Sequence, residues 1–274
     1  MQPGTNDMQP DSGQEPTAPG WQPPQTDVRE FFPKRTRYCV CITVLNEGDR
    51  LRAQLQRMKP NAAIADIVIA DGRSTDGATD PAFLEGMGVR TLLSTHEKGL
   101  STATRMAVAY AIGQGYDGIV TMDGNGKDGV EALPDFLVEL DRGCDLVQGS
   151  RFMAGGFHEN TPWERRFGIK CIVVPLMALA CGHRYTDTTN AFRALSMRFL
   201  ADPRVQPVRG IFVRFNLQLY FIYRAAALRF KVTEIPVKRV YPGDGTVPTK
   251  IVGYRVKLLF FKELFQVILG KCNP

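Results

Sequence analysis

The chain has 274 residues, of which 44% are hydrophobic and 23% are charged. This composition excludes wholesale disorder, a collagen-like repeat and a coiled coil. The formal net charge is +6, but residues 1–30 carry five acids and one base, so the remaining 244 residues carry +10. A folded part this basic predicts an anionic partner, such as a nucleotide or a phospholipid surface.

Signals for export and for membrane spans are missing from the sequence. The N-terminus has no basic stretch followed by an apolar one, and the longest uncharged apolar run, 171–182, is shorter than the roughly 20 residues of a membrane-spanning helix. None of the six cysteines belongs to a CxxC pair, which indicates a reducing compartment. We therefore expect a cytoplasmic protein.

Composition divides the chain into three parts. Residues 1–30 hold six of the eighteen prolines, and such a segment buries too little apolar surface to offset its ordering entropy. We therefore predict a disordered leader over 1–30. A single globular domain is expected over 31–250, followed by an amphipathic tail over 251–274.

Strand and helix patterns alternate along the domain. Apolar runs and helical spacings predict, in chain order, a strand at 38–45, a helix at 51–58, strands at 67–70 and 89–93, a helix at 103–111, a strand at 118–122, a helix at 133–140 and a strand at 145–149. After Arg151 they predict a helix at 163–181, a strand at 191–195, a helix at 211–228, a strand at 232–237 and a helix at 251–269. This alternation favours a mostly parallel sheet, in which ligands bind at the carboxyl ends of the strands.

Two acidic turns lie at those strand ends. Asp71 begins the run DGRSTDG, and Asp123 begins the run DGNGKD. Asp123 and Asn125 point two oxygen ligands to one side, a pattern that suits Mg²⁺ or Mn²⁺ together with substrate phosphates. Turn formation alone explains one such motif, but two at one sheet edge favour a binding site.

A set of short segments gives the chain a family resemblance. In chain order these segments are CITVLNE at 41–47, DGRSTDG at 71–77, HEKG at 96–99, DGNGKDGVE at 123–131, QGSRF at 148–152, TDTTNAFR at 186–193 and EIPV at 234–237. Together they resemble the family 2 glycosyltransferases, and most closely those that act on dolichyl or polyprenyl phosphate. Each segment alone is weak, but seven in the family's order are specific.

The resemblance implies an α/β fold of the GT-A (Rossmann-like) type, a mostly parallel sheet flanked by helices, with the amphipathic helix at the C-terminus. It implies metal-dependent, inverting transfer of a sugar from a GDP- or UDP-linked donor to a polyprenyl phosphate. The corresponding donor-binding residues are Thr43, Leu45, Glu47, Asp71, Lys98, Asp123, Gly124, Asn125, Arg151, Arg239 and Lys250. The acceptor-binding candidates are Arg166, Asn190 and Arg193.

Departures from the family pattern concern the metal and the nucleobase. Asn125 stands in place of the second Asp of the metal motif, and an amide is a poorer ligand for a hard cation than a carboxylate. Asp128 is an alternative ligand, and so is the diphosphate of the donor. Thr43 and Leu45 replace the family's Pro and Tyr, and Arg73 replaces a small residue and offers an additional phosphate contact.

Asp123, Arg151 and Asp187 are the predicted catalytic residues. A departing diphosphate needs its charge neutralised, which a metal ion can do together with Arg151, Arg239 and Lys250. A phosphate acceptor is already an anion and needs no base. A hydroxyl acceptor needs a carboxylate to take its proton, and Asp187 is then the candidate base.

Two alternatives stay open beside lipid-phosphate transfer. One is a family 2 enzyme that acts on a hydroxyl of a glycan or lipid, and the other is a non-catalytic nucleotide-sugar-binding protein. We expect no nucleic-acid partner, because the acids at the strand ends would repel a phosphate backbone.

A membrane surface is the last predicted partner. Residues 250–274 carry five bases and one acid together with several Leu and Phe residues. A basic, aromatic amphipathic helix of this kind lies in a lipid headgroup layer, and the predicted helix at 163–181 is a second candidate. We expect peripheral attachment at the inner face of the cytoplasmic membrane.

Overall fold

The computed structural model describes residues 19–243 and 253–274. Its strands are β1 (Asp27–Glu30), β2 (Tyr38–Val44), β3 (Asp66–Asp71), β4 (Val89–Ser94), β5 (Gly118–Asp123), β6 (Leu146–Ser150), β7 (Phe157–Glu159), β8 (Arg193–Ser196), β9 (Val232–Pro236) and β10 (Lys238–Val240). Its helices are α1 (Gly48–Met58), α2 (Pro81–Gly86), α3 (Leu100–Gly113), α4 (Leu133–Asp141), α5 (Trp163–Phe167), α6 (Val174–Cys181), α7 (Met197–Leu200), α8 (Asn216–Ala227) and α9 (Tyr254–Ile268).

Eight strands form one sheet in the order β1-β4-β3-β2-β5-β8-β6-β9. The strands β4, β3, β2 and β5 are mutually parallel, as the alternation of strands and helices predicts. β8 runs antiparallel between β5 and β6, and β1 runs antiparallel beside β4 at the edge. β7 and β10 pair in parallel as a separate two-stranded sheet.

Both faces of the central strands are covered, which explains their uninterrupted apolar sequences. In β2, Cys39 and Cys41 belong to an apolar cluster that includes residues of α3, α8 and α9. Val40 and Ile42 belong to a second cluster, with residues of α1 and α4. The carboxyl ends of the strands and their loops therefore remain as the open surface of the sheet.

The N-terminal boundary of the fold differs from the prediction. We expected disorder through residue 30, but Asp27–Glu30 forms β1, and Trp21 packs against the cluster that contains α3 and α8. The carbonyl of Gln22 accepts a hydrogen bond from Arg105 Nη1 at 2.7 Å. One partly buried aromatic side chain and a few backbone hydrogen bonds hold this stretch against the domain. The composition averaged over residues 1–30 does not reveal such single contacts. Residues 1–18 lie outside the described part of the chain.

The three long helices predicted after Arg151 differ from the prediction in their bounds or in their regularity. The helix at 163–181 is α5, a π-helical stretch (Gly168–Val173) and α6. The helix at 211–228 begins at Asn216, whose side chain accepts from Val213 N and donates to Ile211 O, closing a turn in front of it. The third helix is α9 (Tyr254–Ile268). Within the described residues, none of the helices has the length and apolarity needed to cross a membrane.

Candidate active site

The predicted acidic residues lie together at one edge of the sheet. The strand register pairs Val44 with Asp71 and Thr43 with Asp123, so the two aspartates flank the end of β2. β6 runs in the same direction as β5, because both are antiparallel to β8 between them. Arg151, which follows β6, is therefore at the same edge.

On one flank of β2 are the loops 45–48 and 72–79, which we call the Asp71 side. Backbone and side-chain hydrogen bonds join the two loops. Asn46 N donates to Ser74 Oγ at 2.8 Å, and Asn46 Oδ1 accepts from Thr75 N at 2.8 Å. The loops therefore form one rigid unit whose shape depends on short polar side chains.

The carboxylate of Asp71, at the end of β3, fixes the loop 72–79 by accepting hydrogen bonds from it. It is 3% exposed, and its Oδ1 accepts from Ser74 N at 3.0 Å and from Ser74 Oγ at 2.7 Å. Burial raises the pKa of Asp71, although the bonds from Ser74 oppose that rise. Glu47, also nearly buried, accepts from Arg50 Nη2 at 3.0 Å. Asp71 and Glu47, two of the three predicted donor-binding carboxylates, thus lie at this edge and already have partners in the protein.

Gly124 allows the loop after β5 to lie directly against β2. Its backbone N–H donates to Thr43 O at 3.0 Å. A Cβ at this position would lie 2.9 Å from Val44 Cγ2 and 3.2 Å from Thr43 O, which is closer than side chains pack. Glycine is therefore required for Asp123 and Asn125 to sit beside the end of β2.

On the other flank of β2, which we call the Asp123 side, a buried guanidinium joins two carboxylates. Arg239 is 5% exposed, and its Nη2 donates to Asp123 Oδ2 at 2.9 Å. Its Nη1 donates to Asp128 Oδ1 and, at 3.2 Å, to Asn190 Oδ1. Asn125 Nδ2 adds a hydrogen bond to Asp123 Oδ2 at 3.1 Å. This cluster joins residues from three separate predicted motifs.

The charges of the Asp123 side shift each other's pKa. Burial opposes ionisation of Asp123, but Arg239 and Lys127 outweigh it and leave the pKa of Asp123 below its usual value. Burial dominates for Asp128, whose pKa is raised. Burial and the charge of Arg239 lower the pKa of Lys127 to about 7. Asp123 therefore has the lower pKa of the two carboxylates, and 22% of its side chain is exposed, whereas Asp128 is fully buried.

Arg151 and Asp187, two of the predicted catalytic residues, form a buried ion pair. Arg151 Nε donates to Asp187 Oδ2 at 2.6 Å, and Nη2 donates to Asp187 Oδ1 at 2.9 Å. Burial opposes ionisation of Asp187, yet Arg151 lowers its pKa below the usual value. A fully buried carboxylate with two bonds to a guanidinium is a poor proton acceptor, so its evident effect is to hold Arg151 in place.

The predicted acceptor residues Asn190 and Arg193 are both 1% exposed. Asn190 Nδ2 donates to Gly149 O at 3.2 Å, while its Oδ1 accepts from Arg239. The guanidinium of Arg193 donates to Asn190 O at 2.6 Å and to Gln218 O. Both side chains are therefore bonded within the protein, and their contact with an acceptor stays a prediction.

Two cations of the site were not among the predicted residues. Arg166, the predicted acceptor residue, is exposed, whereas the neighbouring Arg165 is half-buried. Burial lowers the pKa of Arg165, and the charges of Tyr241, Arg239, Arg151 and Asp123 also act on it, which places Arg165 near the Asp123 side. Lys127 Nζ lies 4.7 Å from the ring centroid of Tyr241. The sequence does not distinguish two adjacent arginines. Only the rotation of α5 about its axis determines which of the two faces the site.

The remaining predicted donor residues are spread along the same edge. Thr43 is half-buried at the end of β2, and Leu45 is 42% exposed in the following loop. Lys98 is exposed in the loop after β4. Lys250 lies outside the described residues.

The donor atoms present suit a divalent cation that is shared with a phosphate ligand. Among the described residues, Asp123 Oδ1 accepts no hydrogen bond. The amide oxygen of Asn125, two residues on, accepts from Lys127 N at 3.4 Å. No group of three or more His, Cys, Asp or Glu in residues 19–243 and 253–274 could hold a metal. Magnesium is typically held by one or two carboxylates plus substrate phosphates, and this set matches that pattern. Asp128, fully buried against Arg239, does not complete it.

Comparison with protein families gives one match that spans most of the chain. The model of glycosyl transferase family 2 matches residues 39–233. These residues include the strands β2 to β6 and β8 with the Asp71 side and most of the Asp123 side, and the match agrees with the family resemblance of the sequence motifs.

Among curated proteins, similar relatives cover four fifths of the chain or more. The undecaprenyl-phosphate mannosyltransferase of Micrococcus luteus is 29% identical over 225 residues, which are 80% of this chain and 91% of that protein. The polyprenol monophosphomannose synthase of Mycolicibacterium smegmatis is 28% identical over 241 residues, which are 86% of this chain and 89% of that protein.

Among solved structures, glucosyl-3-phosphoglycerate synthase of Mycobacterium tuberculosis is similar. Its complex with uridine diphosphate has a TM-score of 0.59 at 14% identity, over 84% of this chain and 79% of that one. Its complex with Mn²⁺, uridine diphosphate and phosphoglyceric acid has a TM-score of 0.56 at 13% identity, over 85% and 77%. The expected GT-A fold, a mostly parallel sheet flanked by helices, is thereby confirmed.

Proposed function

Because the chain belongs to glycosyl transferase family 2, we propose that it transfers a sugar from a nucleotide-diphosphate donor to a polyprenyl phosphate, with inversion at the sugar. The two bacterial relatives, named for undecaprenyl phosphate and polyprenol phosphate, support this acceptor. The similarity extends over about nine tenths of the length of each of them.

The buried charges of the Asp123 side carry the proposal. Arg239 is fixed by Asp123 and Asp128, and the charge of Arg239 also acts on Arg165. Lys127, whose pKa is about 7, adds positive charge when it is protonated. Preorganised cations in a water-poor site stabilise a departing diphosphate without reorganising during the reaction. They also suit the negative charge that a phosphate acceptor brings.

The proposed reaction is a single displacement. A phosphate oxygen of the acceptor forms a bond to the anomeric carbon, while the bond from that carbon to the diphosphate oxygen breaks. The nucleoside diphosphate leaves with the bonding electrons, and the anomeric centre inverts. The acceptor is already an anion, so no proton has to be removed. This mechanism agrees with Asp187, whose carboxylate is committed to Arg151.

We propose Mg²⁺ or Mn²⁺ as the cofactor, held by Asp123 and Asn125 together with the phosphates of the donor. When bound, the ion supplies charge neutralisation on the departing diphosphate. Arg239 keeps Asp123 oriented by donating to its Oδ2, so that Oδ1 stays available. The Asp71 side is the proposed position of the nucleoside, with Lys98, Thr43 and Leu45 around it.

The proposed membrane-facing surface consists of the helices α5, α6 and α9. Lys257 Nζ on α9 lies 3.0 Å from Glu164 Oε2 on α5 and joins the two ends of this surface. Leu264 and Val267 of α9 are buried in the core. The exposed apolar side chains of these helices are Trp163, Phe167, Leu179, Tyr254, Leu258 and Phe265. With the exposed bases of α9 they suit a headgroup layer, so we propose peripheral attachment at the inner membrane face.

Product analysis tests the proposed function. Purified protein is incubated with radiolabelled GDP- or UDP-linked sugars and vesicles that contain a polyprenyl phosphate. We expect a chloroform-soluble product that mild acid hydrolyses, and no such product from Asp123→Ala. The matched control is Asp117→Ala, which removes an aspartate at the opposite end of β5, where it is bonded to Arg37, and should leave product formation unchanged. A product that resists mild acid would favour a hydroxyl acceptor. Nucleotide binding without any product would favour the non-catalytic alternative.

A further inference from the structure

The N-terminal strand β1 is built onto the Asp71 side of the site. It pairs antiparallel with β4, and Asp27 lies opposite Ser94. Ahead of the strand, Gln25 N donates to Glu97 Oε1 at 3.0 Å. All four residues of β1 are exposed, so the strand is held by its backbone ladder and by contacts at its ends. Its side chains are consequently available to a ligand.

β1 closes one wall of a cleft that opens beside Asp71. The cleft measures about 460 Å³, and Val28 and Leu92 form the apolar part of its lining. Its polar lining includes Asp27 and Arg73. This size, with an apolar wall and a few polar groups, is typical of a small-molecule site.

Arg73 reaches the cleft through an uncommon backbone conformation. Its φ is +62°, in the left-handed region that residues other than glycine seldom adopt. Its Nη2 donates to Asp27 Oδ2 at 2.5 Å. Among the described residues, Asp27 Oδ1 and Arg73 Nη1 make no hydrogen bond. The pair therefore presents an unused acceptor beside an unused donor at the cleft.

We propose that Asp27 and Arg73 recognise the nucleobase of the donor in this cleft, an inference that rests on the proposed function. A nucleobase has apolar faces, which match Val28 and Leu92, and an edge where donors and acceptors alternate. A diphosphate has acceptors only, and Asp27 would repel it. Asp27 accepts from an N–H of the base, while Arg73 donates to the adjacent carbonyl oxygen. Uracil and guanine both present that edge.

Calorimetric titration of the full chain with UDP, GDP and inorganic pyrophosphate in the presence of Mg²⁺ tests the inference. The variants are Asp27→Asn and Arg73→Gly. Glycine accepts the positive φ at residue 73, so the second variant removes the guanidinium without backbone strain. We expect the affinity for each nucleotide that the wild type binds to fall about 10-fold in each variant, because uracil and guanine present the same edge to the pair. The affinity for pyrophosphate should not change.

Glu30→Gln is the matched control, because it alters a carboxylate of the same strand that does not line the cleft. Glu30 accepts from Tyr110 and Arg90 instead, and we expect wild-type affinities within twofold. If the wild-type chain binds neither nucleotide, the proposed function and this inference both fail. If it binds one and both variants keep the wild-type affinity for it, only the inference is overturned. An equal loss of pyrophosphate binding also overturns it, because the pair would then act on phosphate.

Discussion

The Asp71 side and the Asp123 side flank the same strand, and they are built in opposite ways. On the Asp71 side, the two loops are joined by hydrogen bonds between residues 28 or 29 positions apart. On the Asp123 side, Arg239 bonds to carboxylates that lie 111 and 116 positions away. Turns that are near each other in sequence shape most of the proposed nucleoside side, and β1 adds its outer wall. The proposed diphosphate side instead depends on a cation brought from a distant part of the chain.

The largest expected effect comes from removing the carboxylate of Asp123. Asp123→Ala should lower kcat by more than about 1,000-fold, because it removes the proposed metal ligand and one of the two carboxylate partners of Arg239. The measurement is the initial rate of lipid-linked product formation at saturating donor and Mg²⁺.

The corresponding control belongs to the Asp71 side. Asp76→Asn alters an exposed carboxylate that accepts from Gly48 N at 2.6 Å, and it should cost less than about fivefold in kcat because the amide oxygen can still accept that bond. Equal losses in the two variants, or activity of Asp123→Ala within tenfold of the wild type, would contradict the division of roles.

The same contrast explains what the sequence predicted and what it did not. Asp71 and Asp123 follow apolar strands directly, so the strand-end rule located both. The partnership of Arg239 with Asp128 depends on how β10 returns to the site, and no local pattern encodes that. The choice of Arg165 over Arg166 depends on the rotation of α5, and neighbouring identical residues carry no signal for it.

The next expected effect concerns Asp187 and its ion pair with Arg151. Asp187→Asn should lower kcat about 10-fold, because Arg151 loses its ionic partner and its orientation. Loss of a buried partner should also lower the free energy of unfolding at pH 7 by about 3–5 kcal/mol. The measurements are kcat against pH and denaturant unfolding, with the fold checked by circular dichroism.

The downward shift of the pKa of Asp187 determines how the stability of the protein and the activity of the variant depend on pH. Its pKa is below the usual value in the folded state, so the stabilising charge is fully present above the unfolded pKa near 4 and disappears as pH falls through the folded pKa. From pH 5 to 8 the kcat ratio of variant to wild type should therefore be constant. A loss beyond 1,000-fold with a missing acidic limb would favour Asp187 as a base and a hydroxyl acceptor.

A smaller effect, on thermal stability, is expected from shortening the N-terminus. Two shortened chains compare residues 1–18 with residues 19–30 of the predicted leader. Removal of residues 1–30 deletes Trp21 and β1, and should cost about 3 kcal/mol, or roughly 6–12 °C in Tm. Removal of residues 1–18 should change Tm by less than about 1 °C, because it keeps both. Thermal unfolding of the two shortened chains gives the answer. A change below 2 °C on removing residues 1–30 would mean that β1 contributes nothing to the fold.

The smallest expected effect is that of Asn125→Asp, which converts the neutral ligand of the Asp123 side into a second acid. Asn125 Nδ2 donates to Asp123 Oδ2 at 3.1 Å, so the substitution replaces a hydrogen bond with two carboxylates in contact. Their repulsion is relieved when a cation lies between them, and a carboxylate is a better ligand for a hard cation than an amide. The variant should therefore need about 3- to 10-fold less Mn²⁺ for half-maximal activity, with kcat within about threefold of the wild type.

Without metal the Asn125→Asp variant should unfold at a lower temperature than the wild type, and added Mn²⁺ should reverse that difference. Asn125→Ala is the control and should need more Mn²⁺ than the wild type, because it removes a ligand without adding charge. A fall in kcat beyond 100-fold in a folded Asn125→Asp variant, with unchanged Mn²⁺ demand, would show that the amide contacts the substrate and that Asp123 holds the cation with the donor alone.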